Sequence, residues 1–230
     1  ALMLAAAGGH TEMVTALLAA PGIDVNAETH DGNTALIYAA ERGHTETVRA
    51  LLAAPGLDVN AANGREGHTA LMLAAGGGRT ATVTALLAAP GIDVNAANGR
   101  GSTALMMAAL GGHTETLTAL LAAPSLDVNA ENRDGHTALM MAAAGGHTET
   151  VTALLAAPGI DVNAAATDGR TALMRAAARG RTEAVTALLT APGIDVNAEM
   201  RDGNTALMMA AAGGHTETAT ALQLAVDMSA

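Results

Sequence analysis

The sequence is marked first by the residues that it lacks. Its 230 positions contain no cysteine, phenylalanine or tryptophan, and tyrosine occurs once. The absence of cysteine excludes disulfide bonds and thiol chemistry. Half of the residues are apolar, but without large aromatic rings the interior must be filled by leucine, valine, isoleucine, methionine and alanine. Such small side chains predict helices that approach one another closely.

Positive charge is also scarce. All eleven cationic side chains are arginine, and 22 acidic residues bring the formal net charge to −11. Nucleic-acid binding depends largely on neutralising phosphates, so this charge argues against a nucleic acid or an anionic membrane surface as partner. No apolar run approaches the roughly 20 residues that span a bilayer. Residues 1–9 look like a signal-peptide core, but the same pattern recurs at residues 70–77 and therefore predicts a structural helix.

A tandem repeat organises the whole chain. Equivalent threonines stand 34 residues apart, with one extra residue between Asp58 and Thr69. We expect a single array of about seven units, in which each unit packs mainly on its neighbours. The first and last units are incomplete, so we expect a piece of a longer array. The expected units are residues 1–33, 34–68, 69–102, 103–136, 137–170, 171–204 and 205–230.

Each unit begins with a threonine and a run of helix formers. Thr137 precedes the sequence ALMMAAA at residues 138–144, and its hydroxyl can accept a hydrogen bond from an amide of the first helical turn. Gly145 and Gly146 then stop the helix, because glycine adopts the left-handed conformation without a Cβ clash. The pattern predicts a short first helix and a tight turn.

A second helix and a loop complete the unit. Val151, Leu154 and Leu155 form an i, i+3, i+4 stripe that buries one helix face. The Pro-Gly pair at residues 158–159 ends this helix, and the Asp-Gly pair at residues 168–169 predicts a hairpin tip. Neither helix is stable alone at this length. The sequence therefore predicts an all-α helix-turn-helix solenoid with short β-hairpin-like loops.

This unit resembles the ankyrin repeat, whose pattern runs T-P-L-H-x-A-A, then G-H-x-E-x-V-x-x-L-L, then G-x-D-V-N. Residues 34–40 (TALIYAA), 43–52 (GHTETVRALL) and 56–60 (GLDVN) match it in order. The family's Pro and His are replaced, for example by Ala138 and Met140, and a proline follows each second helix. The resemblance implies an ankyrin-type fold, an intracellular, cytoplasmic protein and non-enzymatic protein binding.

Histidines repeat at residues 10, 44, 113, 147 and 215. Packed helices lie about 8–10 Å apart, whereas zinc needs ligand nitrogens at about 2 Å, so equivalent histidines in successive units cannot share one ion. The resemblance implies instead that this histidine braces the turn.

The D-V-N-A segments resemble the start of a calcium loop, but residues 127–132 lack the glycine required at the sixth position. We expect Asp127 and its equivalents to hold the loop through side-chain-to-backbone hydrogen bonds. The sequence contains no phosphate-binding glycine motif, and no His–Asp pair recurs beside its serines. We therefore expect no enzymatic activity, no metal and no cofactor.

Variation among nearly identical units marks the candidate binding residues. It gathers on the first helix, at the loop tips and just before each threonine. The resemblance implies that partners contact these positions, on the concave face and the fingertips, although neutral drift at exposed sites gives the same pattern at any single position. The candidate partner-binding residues are Tyr38, Glu41, Arg42, His68, Met107, Leu110, His136, Met141, Arg170, Arg175, Arg179 and Arg201.

A cationic corner stands out in this acidic chain. Arg175 and Arg179 are spaced i, i+4 and share a helix face, and Arg170 precedes that helix. Two interpretations remain: a site for an acidic protein segment, or solvated arginines paired with Asp168 or Glu183.

We predict a monomeric array that binds a protein or peptide. The alternative is a structural spacer or spring segment of a larger multidomain protein, with no specific ligand of its own.

Overall fold

The computed structural model describes residues 1–64 and 66–229. These residues form fourteen α-helices arranged in pairs and no β-strand, apart from an isolated antiparallel bridge between Ala62 and Thr69. The predicted all-α helix-turn-helix architecture is confirmed. None of the described helices combines the length and the hydropathy that crossing a membrane requires. The helices are α1 Leu2–Ala7, α2 Thr11–Leu18, α3 Ala35–Arg42, α4 Thr45–Leu52, α5 Ala70–Gly76, α6 Thr80–Leu87, α7 Ala104–Gly111, α8 Thr114–Leu121, α9 Ala138–Gly145, α10 Thr148–Leu155, α11 Ala172–Ala177, α12 Thr182–Leu189, α13 Ala206–Ala212 and α14 Thr216–Ser229.

The chain divides into two compact units. Unit 1 comprises Ala1–Ala108 and Glu115–Leu126, and unit 2 comprises Ala109–Thr114 and Asp127–Ala230. Within unit 1, α3 packs against α1 and α5, and α4 packs against α2 and α6. Within unit 2, α11 packs against α9 and α13, and α12 packs against α10 and α14. First helices therefore stack on first helices, and second helices on second helices. The single array with its seven boundaries stays a prediction.

Helix starts and ends follow the local signals in the sequence. The Thr137 hydroxyl accepts a hydrogen bond from the Met140 amide at 3.4 Å, and the Thr34 hydroxyl accepts one from Ile37 at 3.3 Å. This capping satisfies an amide that the first turn leaves without a backbone partner. After α9, Gly146 has φ 76° and closes the helix in the left-handed conformation. The predicted helix caps are confirmed.

The core consists of the small apolar side chains that the composition predicts. Leu139, Met140 and Ala142 are buried in α9, and Val151 and Leu154 are buried in α10. Leu155, the third residue of the predicted second-helix stripe, is half-exposed. The buried stripe is therefore narrower than predicted.

Hydroxyl pairs join successive second helices. Thr11 Oγ1 lies 2.8 Å from Thr47 Oγ1 in unit 1, and Thr114 Oγ1 lies 2.8 Å from Thr150 Oγ1 in unit 2. The same distance recurs between residues 45 and 82, 80 and 116, and 182 and 218. We call these pairs the threonine ladder. Its register places Ala184 opposite Thr148, so a methyl group stands where the other pairs have a hydroxyl.

Asparagine side chains join successive loops. The Asn129 Nδ2 group donates to the Gly159 carbonyl at 2.7 Å, and its Oδ1 atom accepts from the Asp161 amide at 2.8 Å. Asn26 makes the same two contacts in unit 1, and it is held in turn by Asp24, whose carboxylate accepts from the Asn26 amide. These bonds explain why Asp and Asn recur in every loop.

Candidate functional site

In unit 1 the predicted binding residues of the first helices lie on one exposed side. Tyr38 is half-buried, and Glu41 and Arg42 are exposed at the end of α3. Because α3 packs between α1 and α5, Tyr38 stands in a row with the equivalent residues Leu4, which is 80 % exposed, and Leu73.

Met107 extends this row. Its Cε atom lies 3.2 Å from the position that a Cβ would occupy at Gly76. The missing side chain at residue 76 therefore makes room for a half-buried methionine. The unit 1 row thus ends in a flexible apolar side chain that can repack.

His68 lies just before Thr69 in unit 1, and its side chain is only 12 % exposed. Its Nε2 atom lies 2.9 Å from Asn98 Nδ2, and its Nδ1 atom lies 3.3 Å from a Glu66 carboxylate oxygen. The contact with Asn98 links two successive loops. A partner that binds here would contact two loops that this hydrogen bond holds together.

In unit 2 the candidate residues differ widely in exposure. Leu110 is 58 % exposed. Met141 is half-buried in α9, and Arg179 and Arg201 are exposed. Leu110, Arg179 and Arg201 are therefore the residues that a partner reaches most readily.

The side chain of Arg175 is enclosed by intramolecular contacts and is only 14 % exposed. Its Nη2 atom lies 3.1 Å from both carboxylate oxygens of Asp168. The same Nη2 atom lies 2.7 Å from His136 Nε2, which accepts the hydrogen bond if that ring is neutral. Two predicted site residues thus meet at one carboxylate, since Arg170 Nε also lies 3.9 Å from an Asp168 oxygen, and His136 joins them through its contact with Arg175. Arg170 and Arg175 are therefore paired with Asp168, as one of the two interpretations of the cationic corner expected.

Arg179 takes a different position. Its Nη1 atom donates to the Ala144 carbonyl of α9 at 3.1 Å. A cation near the last carbonyl groups of a helix is stabilising, because these oxygens carry the partial negative charge of the helix dipole. The rest of the Arg179 side chain stays exposed.

Burial and charge shift three pKa values in this cluster. Burial lowers the pKa of His136, the positive charge of Arg175 lowers it further, and Asp134 and Asp168 oppose that shift. Burial disfavours ionised Asp168, but the Arg170 backbone amide and the guanidinium of Arg175 outweigh it, so the pKa of Asp168 lies below its usual value. Burial also lowers the pKa of Arg175. The network therefore favours a neutral histidine beside an ionised carboxylate.

The repeated histidines brace the turns, as the resemblance implied. The Nε2 atoms of His44, His147 and His215 lie 3.1, 3.1 and 3.3 Å from carbonyl oxygens at the ends of preceding first helices. Asp127 holds its loop as predicted, since it accepts from the Asn129 amide at 3.0 Å. Among residues 1–64 and 66–229, no three His, Asp or Glu side chains are grouped as a metal site requires.

One unusual residue was missed by the sequence reasoning. Ser125 has φ 63°, the only positive φ of a non-glycine residue in the described part of the chain. Equivalent turns in the other units carry glycine after proline, and that substitution is the signal that could have found it. Ser125 lines a groove of about 480 Å³ in unit 1, together with Leu87, Ile92 and Ala122.

Comparison with models of known protein families identifies the family of this chain. The family model for ankyrin repeats matches residues 2–98, 90–166 and 164–229 in three copies. The chain belongs to the ankyrin-repeat family, and the predicted ankyrin-type fold is confirmed. Ankyrin repeats are a general protein–protein interaction module and are typically non-enzymatic.

Solved structures agree with this assignment. The chain is similar to the ankyrin repeat domain of Bcl-3, described as a unique member of the IkappaB protein family, with a TM-score of 0.83, 28 % identity and coverage of 96 % of this chain and 97 % of that one. It is also similar to EF0377, an ankyrin repeat protein, with a TM-score of 0.75, 30 % identity and coverage of 83 % and 96 %. A search of curated proteins finds no match to this chain.

Proposed function

We propose that this chain is a non-enzymatic scaffold that binds a protein or peptide. The contacts are made by the exposed side of the first helices, which we call the first-helix face, and by the loop tips. The observation that supports this proposal is the contrast between constant and variable positions on and next to the first helices. Constant residues such as Leu139 and Ala142 are buried, whereas the variable residues Glu41, Leu110 and Arg179 are exposed.

The chemistry of the first-helix face differs between the units. In unit 1 the face offers the apolar side chains of Tyr38 and Met107 beside the charged Glu41 and Arg42. In unit 2 it offers Met141 and the cationic corner. An extended or helical segment that carries acidic residues suits this corner, because arginine pairs with carboxylates through directed hydrogen bonds.

The test uses the tagged chain to capture partners from a native extract. Leu110→Glu places a charge on the first-helix face of unit 2, and Thr152→Glu places the same charge on an exposed second helix. We expect Leu110→Glu to weaken capture by roughly tenfold, as the loss of an apolar anchor predicts, and Thr152→Glu to leave it unchanged. Equal capture by both variants would refute the proposed surface.

Charge dependence is tested separately. Arg179→Glu reverses an exposed cation of the first-helix face, and Arg49→Glu reverses one on α4 that pairs with Glu46 at 2.9 Å. An acidic partner should lose affinity with Arg179→Glu and with added salt, since screening weakens exposed charge pairs. A partner that responds equally to both variants binds elsewhere.

The second candidate function is a structural spacer. The threonine ladder and the asparagine bonds repeat with nearly constant distances, as a purely mechanical element requires. A chain that captures no specific partner under any condition would favour this alternative.

A further inference from the structure

Two guanidinium groups pair with one carboxylate near the start of α11, and a third arginine lies just beyond the end of that helix. We call Arg170, Arg175 and Arg179 the arginine cluster. Asp168 forms ion pairs with Arg170 and Arg175, while Arg170 and Arg179 both repel the charge of Arg175. These three cations and Asp168 together carry a formal charge of +2, in a chain whose net charge is −11.

The carboxylate of Asp168 also leaves two arginine N–H donors without an acceptor. Arg170 Nε and Arg175 Nε are both buried and have no hydrogen-bond partner among the described residues. Both oxygens of Asp168 contact the same Nη2 atom of Arg175 instead of spanning two nitrogens. A buried charged donor without an acceptor is unfavourable, and the two-pronged arrangement that arginine prefers is not reached.

We propose that the arginine cluster is a binding site for a phosphate monoester, namely a phosphoserine or phosphothreonine of a protein partner, which displaces Asp168. This inference rests on the proposed function and specifies its partner. A phosphate group carries about −1.5 to −2 charges and three acceptor oxygens at neutral pH. It therefore matches the excess charge and can serve both Nε donors, whereas one carboxylate only repeats what Asp168 already supplies.

Asp168 is accessible to a competing anion. Its side chain is 46 % exposed, and it lies in a loop whose turn it closes by accepting from the Arg170 amide at 3.0 Å. Asparagine at this position keeps that acceptor but removes the competing charge. Asp202 closes the next loop in the same way, through the Asn204 amide at 3.2 Å, and so Asp202→Asn is a matched control.

The experiment titrates the intact chain with a short Gly-Ala peptide that contains one phosphoserine, with its unphosphorylated form and with inorganic phosphate. Arginine Nε–Hε signals are followed by NMR and assigned with Arg170→Lys and Arg175→Lys. We expect the phosphopeptide to shift the signals of Arg170 and Arg175. Asp168→Asn should strengthen binding by roughly fivefold or more, because a contacting anion is removed, whereas Asp202→Asn should not.

Arg175→Lys should weaken phosphopeptide binding by roughly tenfold or more, as the loss of a charge-assisted hydrogen bond predicts. If circular dichroism shows that this variant is unfolded, the more exposed Arg170→Lys decides. Equal effects of Asp168→Asn and Asp202→Asn, or binding without a shift of the two arginine signals, overturn the proposal. If inorganic phosphate binds but the phosphopeptide does not, the proposal that the phosphate belongs to a protein partner is refuted. A phosphopeptide that binds while no cellular protein is captured supports the site and refutes the proposed function.

Discussion

Replacing Ala184 with threonine should complete the threonine ladder and stabilise the protein. Ala184 is 1 % exposed, and the threonines at equivalent positions, Thr150 and Thr218, are 0 % and 1 % exposed. The backbone at this position therefore already accommodates a threonine in neighbouring repeats. The new hydroxyl should meet Thr148 Oγ1 at about the 2.8 Å seen between residues 182 and 218.

The expected gain is about 1 kcal/mol. A hydrogen bond between two hydroxyls contributes about 0.5–1.5 kcal/mol net, and burying one more methyl group contributes about 0.8 kcal/mol. Threonine has a lower helix propensity than alanine, which costs up to about 0.7 kcal/mol. The favourable effects together exceed this cost.

Urea unfolding followed by circular dichroism measures the change. Ala184→Val is the matched control, since valine has the shape of threonine but no hydroxyl, and it should gain less than Ala184→Thr. The gain from the hydroxyl should also vanish when Thr148 is alanine. If valine and threonine stabilise equally, or if the gain persists without Thr148, the hydrogen-bond reasoning is wrong.

Three further predictions follow from burial, backbone conformation and charge. Leu154→Ala removes a fully buried side chain and should lower the free energy of unfolding by about 2–5 kcal/mol; the half-exposed Leu155, changed to alanine, should cost clearly less in the same urea titration. Ser125→Gly should raise the free energy of unfolding by about 0.5–1 kcal/mol, because glycine adopts the left-handed conformation without strain, and this gain exceeds the cost of a more flexible unfolded chain. The urea midpoint should therefore rise, and a lower midpoint would contradict this prediction. The pKa of His136 is lowered in the folded state from 6.5, so its contribution to stability is complete above about pH 6.5 and is lost as the pH falls through the folded-state pKa. His136→Gln should remove this component of the pH profile, and an unchanged profile would show that another group is responsible.

The sequence by itself determined the local structure and its repetition. Thr137 before a helix-forming run and Gly146 after it specify the ends of α9, since capping and left-handed glycine are properties of a few neighbouring residues. The 34-residue period then assigns the same helix pair to every unit. The family resemblance follows from the same residues. Fold class and most of the buried positions could therefore be predicted, although Leu155 is half-exposed and not buried.

The candidate site was predicted only as a set of exposed variable positions. The prediction that Arg175 and Arg179 share one helix face is wrong, because α11 ends at Ala177 and Arg179 lies in the turn that follows. Their environments also differ: Arg175 is enclosed by Asp168 and His136, whereas Arg179 is exposed and contacts a carbonyl of α9. The exposure of each arginine depends on side chains contributed by neighbouring repeats, so helix periodicity alone could not separate them.

Only the tertiary structure decided which distant side chains meet. His136 and Arg175 lie 39 residues apart in the chain, and the hydroxyls of Thr114 and Thr150 lie 36 apart, yet each pair is in contact. Such contacts require helices and loops to stack in a fixed register, and that register arises from the packing of many buried side chains at once. A repeating sequence specifies that neighbouring units pack alike, but the positions of individual polar atoms, and so the charge that a partner meets, follow from the packed structure.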